Sequence, residues 1–328
     1  MVETLKVIFM FVSGLLLLIK GGDWFVDSAC GIARRFKMPE ILIGATVVSI
    51  GTTLPEVMVS LQGALNGQGA MAYGNATGSI ICNTALIAAV TVAIAPSVVD
   101  RKSMKIPVIF FYMAAAIYVL VAYVTKDFSR AIGFVLLGVF VVYMIYAVIS
   151  AVKNPQTSLE ANCDEPAENN KNGMAKDVIM LIVGAVCIAV GARFLINSAT
   201  SIAQFFGVPE SVIALTIVAL GTSLPELVTA ITSLVKGHGA LSLGNIIGAN
   251  LFNLVLVSGA AIAASPFPLP SEKTVFGQNA SLVVDMPVML GVMSILCIPA
   301  LIRSKLSRWQ GILLLGIYVA FLIFQFVI

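Results

Sequence analysis

Apolar residues gather in long runs separated by short polar stretches. An α-helix needs roughly 20 apolar residues to cross about 30 Å of hydrocarbon. Ten runs of that kind recur, at 5–32, 39–66, 71–96, 105–124, 131–152, 176–205, 209–235, 240–265, 281–302 and 309–328. The second and seventh hold Gly and Pro in their interiors, which predicts interrupted helices. The only long polar stretch, 153–175, reads KNPQTSLEANCDEPAENNKNGMA and has no apolar periodicity. It divides the chain into 1–152 and 176–328, each with five predicted spans. The predicted fold is all-α, a polytopic membrane protein of ten transmembrane helices.

The two halves repeat one another. A shift of 170 positions (226 − 56) aligns Pro39-Glu40 with Pro209-Glu210, Gly51-Thr52 with Gly221-Thr222, and Leu54-Pro55-Glu56 with Leu224-Pro225-Glu226. It also aligns Gly74-Asn75, Gly78 and Asn83 with Gly244-Asn245, Gly248 and Asn253, with no gap. An odd number of spans per half turns the second copy over in the membrane, so the halves form inverted-topology five-helix repeats. Such repeats are typical of secondary transporters, whose interrupted helices meet near the midplane.

Composition agrees with this pattern. Hydrophobic residues make up 59% and charged residues only 11%, at a mean hydropathy of +1.03, whereas a soluble domain carries roughly 25% charged residues. The N-terminus, MVETLK, opens an apolar run too long for a cleaved signal peptide, so it reads as the first span. With that end outside, the inner loops hold thirteen basic residues, Arg34, Arg35, Lys37, Arg101, Lys102, Lys105, Lys153, Lys171, Lys176, Lys236, Arg303, Lys305 and Arg308. The outer side keeps four, Lys6, Lys126, Arg130 and Lys273. The inside-positive bias therefore predicts that both termini face out. Most cysteines lie within apolar runs (Cys30, Cys82, Cys187, Cys297), and their spacing shows neither a disulfide framework nor a metal motif.

The chemistry sits in the repeated GTTLPE (51–56) and GTSLPE (221–226). Pro55 lacks an N–H, so the Gly51 carbonyl loses its helical partner, and in lipid a freed carbonyl must be buried in protein or line a polar cavity. Thr52, Thr53 and Ser49 fall on the helix face of Glu56. The second copy offers Thr222, Ser223 and Glu226, with Ala219 in place of the serine. On the next span Asn75, Ser79 and Asn83 form a stripe, mirrored by Asn245, Ala249 and Asn253. The interleaved GxxxG pairs (Gly74, Gly78; Gly244, Gly248) predict close helix packing.

An ionised carboxylate at the bilayer centre costs at least about 2.5–3.5 kcal/mol, and such residues mark ion pathways. The intramembrane bases, Lys20 and Arg193, stand outside the repeated block and are expected to pair with Asp23 and Asp27, cap helix ends or snorkel. Protons or a bound cation must then neutralise Glu56 and Glu226. The donors are hard oxygens, with no Cys or His among them, which argues against Zn2+. Cys82 and His238 read as bystanders. Two negative charges match one divalent ion, and pliant carbonyl ligands suit Ca2+ better than Mg2+.

GTTLPE…GNATGSIICN and GTSLPE…GNIIGANLFN resemble the two alpha-repeats of the Ca2+:cation antiporter (sodium/calcium exchanger) superfamily, most closely its bacterial branch. The similarity is strong over 39–90 and 209–260. It implies exchange of Ca2+ against Na+ by alternating access, with the first and sixth spans moving past the core. It also implies central carboxylates at Glu56 and Glu226, hydroxyl and carbonyl ligands at Thr52, Thr53, Thr222 and Ser223, carbonyl ligands at Ser49 and Ala219, and further ligands at Ser79 and Asn83. Family members often carry Asp where this chain has Asn253 and Ser where it has Ala249. Ca2+ binding needs only the two glutamates for charge balance, whereas the counter-ion, Na+ or H+, is less fixed, and the missing acid points away from K+.

The expectation is a multi-pass transporter of the plasma membrane (a bacterial inner membrane), not an enzyme. Its partners are Ca2+, Na+ or H+, and the lipid bilayer, with no resident cofactor and no nucleic acid. A H+-coupled Ca2+ exchanger is the nearest alternative. A passive channel fits tight paired carboxylates poorly, and an intramembrane hydrolase lacks a GxGD pair or a nucleophile–His arrangement. The acids of the polar segment (Glu160, Asp164, Glu165, Glu168) show no EF-hand spacing and read as a solvated loop.

Overall fold

The computed structural model describes residues 2–36, 38–96, 98–153, 171–205, 219–271 and 273–327. Its helices are α1 (Val2–Arg35), α2 (Glu40–Leu65), α3 (Gly69–Ile94), α4 (Arg101–Val124), α5 (Arg130–Lys153), α6 (Lys171–Phe205), α7 in two pieces (Ala219–Thr222 and Leu224–Val235), α8 (Gly239–Ala264), α9 (Ser281–Arg303) and α10 (Arg308–Val327). Among the described residues, nine of these are long and apolar enough to cross a membrane, and α7 is shorter. The first part of the span expected at 209–235, like most of the segment at 153–175, lies outside the described residues.

Burial sorts the helices into layers. The best apolar window of α8 is 83% buried, that of α3 72% and that of α2 61%, against 22% for α1, α5 and α6 and 17% for α10. The polar stripes read from the sequence thus lie on the innermost helices. The outer helices turn Leu, Ile, Val and Phe to the surface, such as Phe9, Leu16, Val142, Ile179 and Ile312, as expected where lipid is the solvent.

Contacts between the halves come in exchanged pairs. The last turns of α8 pack on α5, and those of α3 pack on α10. A Cβ at Gly133 of α5 would run into Gly259 O and Ala263 N, and one at Gly311 of α10 into Ala89 O and Ala93 N. Arg130 donates to Ala264 O at 3.2 Å, and its equivalent Arg308 donates to Ile94 O at 3.4 Å. Each thereby covers orphan carbonyls at the end of a helix from the other half. Short strands repeat the exchange. β1 (Asp127–Phe128) pairs with β2 (Phe267–Pro268), while Val98 bridges Lys305 between the corresponding loops. A separate hairpin joins β3 (Thr274–Val275) and β4 (Gln278–Asn279).

The α1 and α6 helices lie along one another outside this core. Their contact is reciprocal, since a Cβ at Gly14 would stand 2.9 Å from Gly191 O, and one at Gly191 2.8 Å from Gly14 O. Gly21 and Gly184 repeat it at 3.0 and 2.9 Å. Small residues let backbones approach where no hydrophobic effect drives helices together. Arg35 of α1 and Asp177 of α6 add an ion pair at 2.8 Å.

Two expectations need correction. Asp23 and Asp27 do not pair with Lys20 or Arg193; they take Lys236, at 3.3 and 2.8 Å, from the turn after α7. Burial works against the Lys236 ammonium, yet the two carboxylates outweigh it and hold its pKa above the ordinary lysine range. Arg193 is exposed on α6. Nor is α2 broken at Pro55, because Ser49–Leu65 is one continuous helix through the proline. The distortion lies upstream, where Gly44–Val48 is a π turn.

Replacing Gly311 by Val should lower the thermal midpoint of the purified protein by the cost of overpacking a close helix contact, about 1–3 kcal/mol. Gly316→Val, on the exposed side of the same helix, should leave it unchanged.

Candidate ion-binding site

Local backbone irregularities bring polar atoms to the centre of this core. At the π turn of α2, Gly44 O takes the Ser49 N–H and lies 2.7 Å from Ser49 Oγ, while Ala45 O accepts from Tyr143 Oη of α5 at 2.8 Å. Further π turns at Asn83–Ala88 in α3 and Asn253–Val257 in α8 begin at the two asparagines of the repeat. Such turns widen the helix and are frequent at functional sites. In α7 the break is complete, because Ser223 (φ −90°, ψ 6°) separates the two helical pieces. Pro225 is the second residue of the new helix, where the missing N–H costs no hydrogen bond.

Glu56 and Glu226 are both fully buried and interact directly with one another, and Thr52 and Thr53 lie beside Glu226. None of the four carboxylate oxygens has a hydrogen-bond partner among the described residues, and no basic group acts on either acid. Thr53 Oγ1, Ser223 Oγ and both side-chain polar atoms of Asn83 and of Asn253 are likewise buried without a partner. Buried polar atoms are ordinarily satisfied, and carboxylate and hydroxyl oxygens placed in this way can take up protons or coordinate a cation. Ser79 and Ala249 are buried on the same helices, and Ala249 offers no side-chain donor atom. Ala219 starts the short helical piece before the break, and nothing is described of its side chain.

The sequence expectation drew the stripe asparagines toward the glutamates rather than into hydrogen bonds between helices, yet Asn75 and Asn245 both bond between helices. Asn245 Oδ1 accepts from Thr52 Oγ1 at 3.2 Å, and the single Ser49 hydroxyl proton is within reach of Asn245 O at 2.9 Å as well as of Gly44 O. In the mirror contact Asn75 Oδ1 accepts from Thr222 Oγ1 at 3.5 Å, while its Nδ2 donates to Ser60 Oγ at 2.8 Å and Glu56 O at 3.2 Å. A threonine whose proton is held by asparagine keeps its lone pairs for a cation. These bonds also join α2 to α8 and α7 to α3, so each half orients a threonine of the other.

The glycine expectation holds where both sides are described. A Cβ at Gly244 would meet the backbone of Ile41, and one at Gly248 the backbone of Ala45. The register equivalents of Ile41 and Ala45, at 211 and 215, lie outside the described residues. Cys82 is no bystander in position: its thiol faces Ser223 and accepts from Tyr318 Oη of α10 at 3.6 Å. Buried hydroxyls at Thr229, Ser233 and Ser242 were also missed. The four-residue step of Thr229 and Ser233 along α7 was the available signal.

Comparison with known proteins then decides the family. The profile of the family described as sodium/calcium exchanger protein matches residues 6–149 and 176–327. This chain belongs to that family. The archaeal sodium/calcium exchanger MaX1 of Methanosarcina acetivorans is 32% identical, over 96% of this chain and 97% of its own. A membrane protein of Methanocaldococcus jannaschii is 36% identical over 94% of each chain. Among solved structures, the sodium-calcium exchanger NCX_Mj, soaked with Na+ and Ca2+, aligns at a TM-score of 0.78 and 31% identity over 96% of both chains. This family member is therefore an all-α, multi-pass membrane transporter that exchanges cations, not an enzyme.

If the cross-repeat hydrogen bond stabilises the protein, Asn245→Ala and Thr52→Val should be non-additive. A double-mutant cycle read by thermal or denaturant unfolding should give a coupling of about 0.5–1.5 kcal/mol. Additive effects would remove Asn245 from its orienting role.

Proposed function

We propose that this exchanger-family chain moves Ca2+ against Na+, with one Ca2+ held between Glu56 and Glu226. The observation that carries this reading is the facing pair of buried carboxylates with no base beside them among the described residues. Two negative charges balance one divalent ion, and Ca2+ takes six to eight oxygens in flexible geometry. Thr52, Thr53, Thr222 and Ser223 offer hydroxyls; Ser49, Ala219 and the freed Gly51 offer carbonyls; Ser79, Asn83 and Asn253 lie on the adjoining helices. Na+ uses the same hard oxygens. If both loads compete for the same carboxylates, neither binds while the other is present, and exchange is coupled. Ala249 contributes no side-chain oxygen, so the side-chain donors on α8 are fewer than those on α3.

Access to the two sides follows if α1 and α6 move as one body. Their reciprocal glycine contacts and the Arg35–Asp177 pair hold them together. They rest against the proline turns of α2 and α7, where Phe25, Ala185 and Ile188 meet Gly51, Thr52, Pro55 and Pro225 across a narrow crevice. We place the protein in the plasma membrane, a bacterial inner membrane, with both termini outside.

In proteoliposomes, an outward Na+ gradient should drive 45Ca2+ uptake. Glu56→Gln and Glu226→Gln should each reduce it at least about tenfold, equivalent to ~1.4 kcal/mol. Uptake that follows a pH gradient without Na+ would replace Na+ by H+, and linear flux without any counter-ion would indicate a channel. For orientation, in a background without native cysteines, Thr274→Cys should react with an impermeant maleimide on intact cells. Lys102→Cys should react only after permeabilisation.

A further inference from the structure

We propose that Cys30, Glu40 and His238 form a binding site for a thiophilic divalent metal ion of the Zn2+ class, separate from the central site, which clamps α1 to the core. The three come from different elements. Cys30 lies near the end of α1, Glu40 opens α2, and His238 sits in the turn between α7 and α8. The Cys30 Sγ, a Glu40 carboxylate oxygen and a ring nitrogen of His238 all lie within 4.8 Å of one another. His238 Nδ1 is 2.9 Å from Glu40 Oε1. The cluster is sheltered, with Cys30 3% exposed and the side chains of His238 and Glu40 at 12% and 19%.

The donor set differs in kind from that of the central site. Sulfur, imidazole nitrogen and one carboxylate oxygen form a borderline-soft trio that suits Zn2+ and its neighbours, whereas Ca2+ and Na+ select oxygen alone. Binding would release the Cys30 proton to solvent. Thiolate and carboxylate then supply two negative charges against one divalent ion, and a water can take the fourth tetrahedral position.

The backbone already presents these ligands. His238 is fixed by its N–H to Ser233 O at 2.7 Å and by accepting Ser242 N–H at 3.2 Å. The Glu40 carboxylate sits at a helix start, where negative charge is favoured. Lys236 ties the same turn to Asp27, one turn before Cys30, at 2.8 Å, so α1 and this turn are already held in register. The duplication supplies an internal contrast. At the equivalent sequence positions of the other half stand Thr200, Glu210 and Gln68, with neither thiol nor imidazole. The site therefore belongs to one membrane face only. Its consequence for transport rests on the antiport reading, in which α1 must move past α2 and α7; its metal binding does not.

The test uses the purified full-length chain and Co2+ as the probe. The wild type should develop near-UV thiolate-to-Co2+ charge-transfer absorption and visible bands of a four-coordinate site, saturating at one ion per chain and bleached by Zn2+. Cys30→Ser should abolish the charge-transfer band, and His238→Gln and Glu40→Gln should each weaken Co2+ binding at least tenfold. Absence of the band in the wild type, or its persistence in Cys30→Ser, overturns the site. In proteoliposomes, Zn2+ at the level that bleaches the Co2+ spectrum should slow Ca2+ uptake by the wild type at least fivefold and leave Cys30→Ser unaffected. Equal inhibition of both, or of neither, overturns the clamp. A wild type that carries no Ca2+ under any gradient refutes the antiport reading instead, and the spectrum still judges the site.

Discussion

Two carboxylates that face one another inside a membrane protein cannot both remain charged and unaccompanied. The repulsion between like charges and the loss of water act in the same direction, and both grow as the dielectric falls. Glu56 and Glu226 are in this situation. The π turns of α2, α3 and α8, the proline of α2 and the break of α7 all fall on the helices that carry or flank the pair. The protein thus gives up local regularity at its centre and recovers it at the periphery, where α1, α5, α6 and α10 are uninterrupted.

A second layer of polar groups makes that centre specific. Asn75 and Asn245 fix which way the threonine hydroxyls point. Because each asparagine serves a threonine of the opposite half, the geometry around the two glutamates depends on how the halves sit together. A rearrangement that separates α2 from α8 would lose the hydroxyl orientation along with the contact.

Much of this was legible from the chain. Span number, the duplication and the central glutamates follow from long apolar runs and a repeat that needs no gap. The asymmetry between Pro55 and Pro225 was not legible, since both stand in the same hexapeptide. The first is accommodated within a continuous helix and the second two residues after a break, and tertiary surroundings decide which. Nor were the partners of Asp23 and Asp27, because Lys236 is more than 200 positions away. The roles of Tyr143, Tyr318 and Cys82 were hidden for the same reason. Each sits in a predicted span, and only the fold reveals which face meets a carbonyl or hydroxyl.

The exchanged contacts between α3 and α10 and between α8 and α5 carry one more consequence. These two contacts are mates with the roles reversed, which is the signature of an isologous interface. A single five-helix unit bearing both surfaces would thus be self-complementary. Two such units, inserted in opposite senses, could meet through the very glycine and arginine contacts that now join the halves. Joined in one chain, the two copies were free to diverge, and it is that freedom that leaves Ser79 opposite Ala249, Gln68 opposite His238, and an intact helix opposite a broken one.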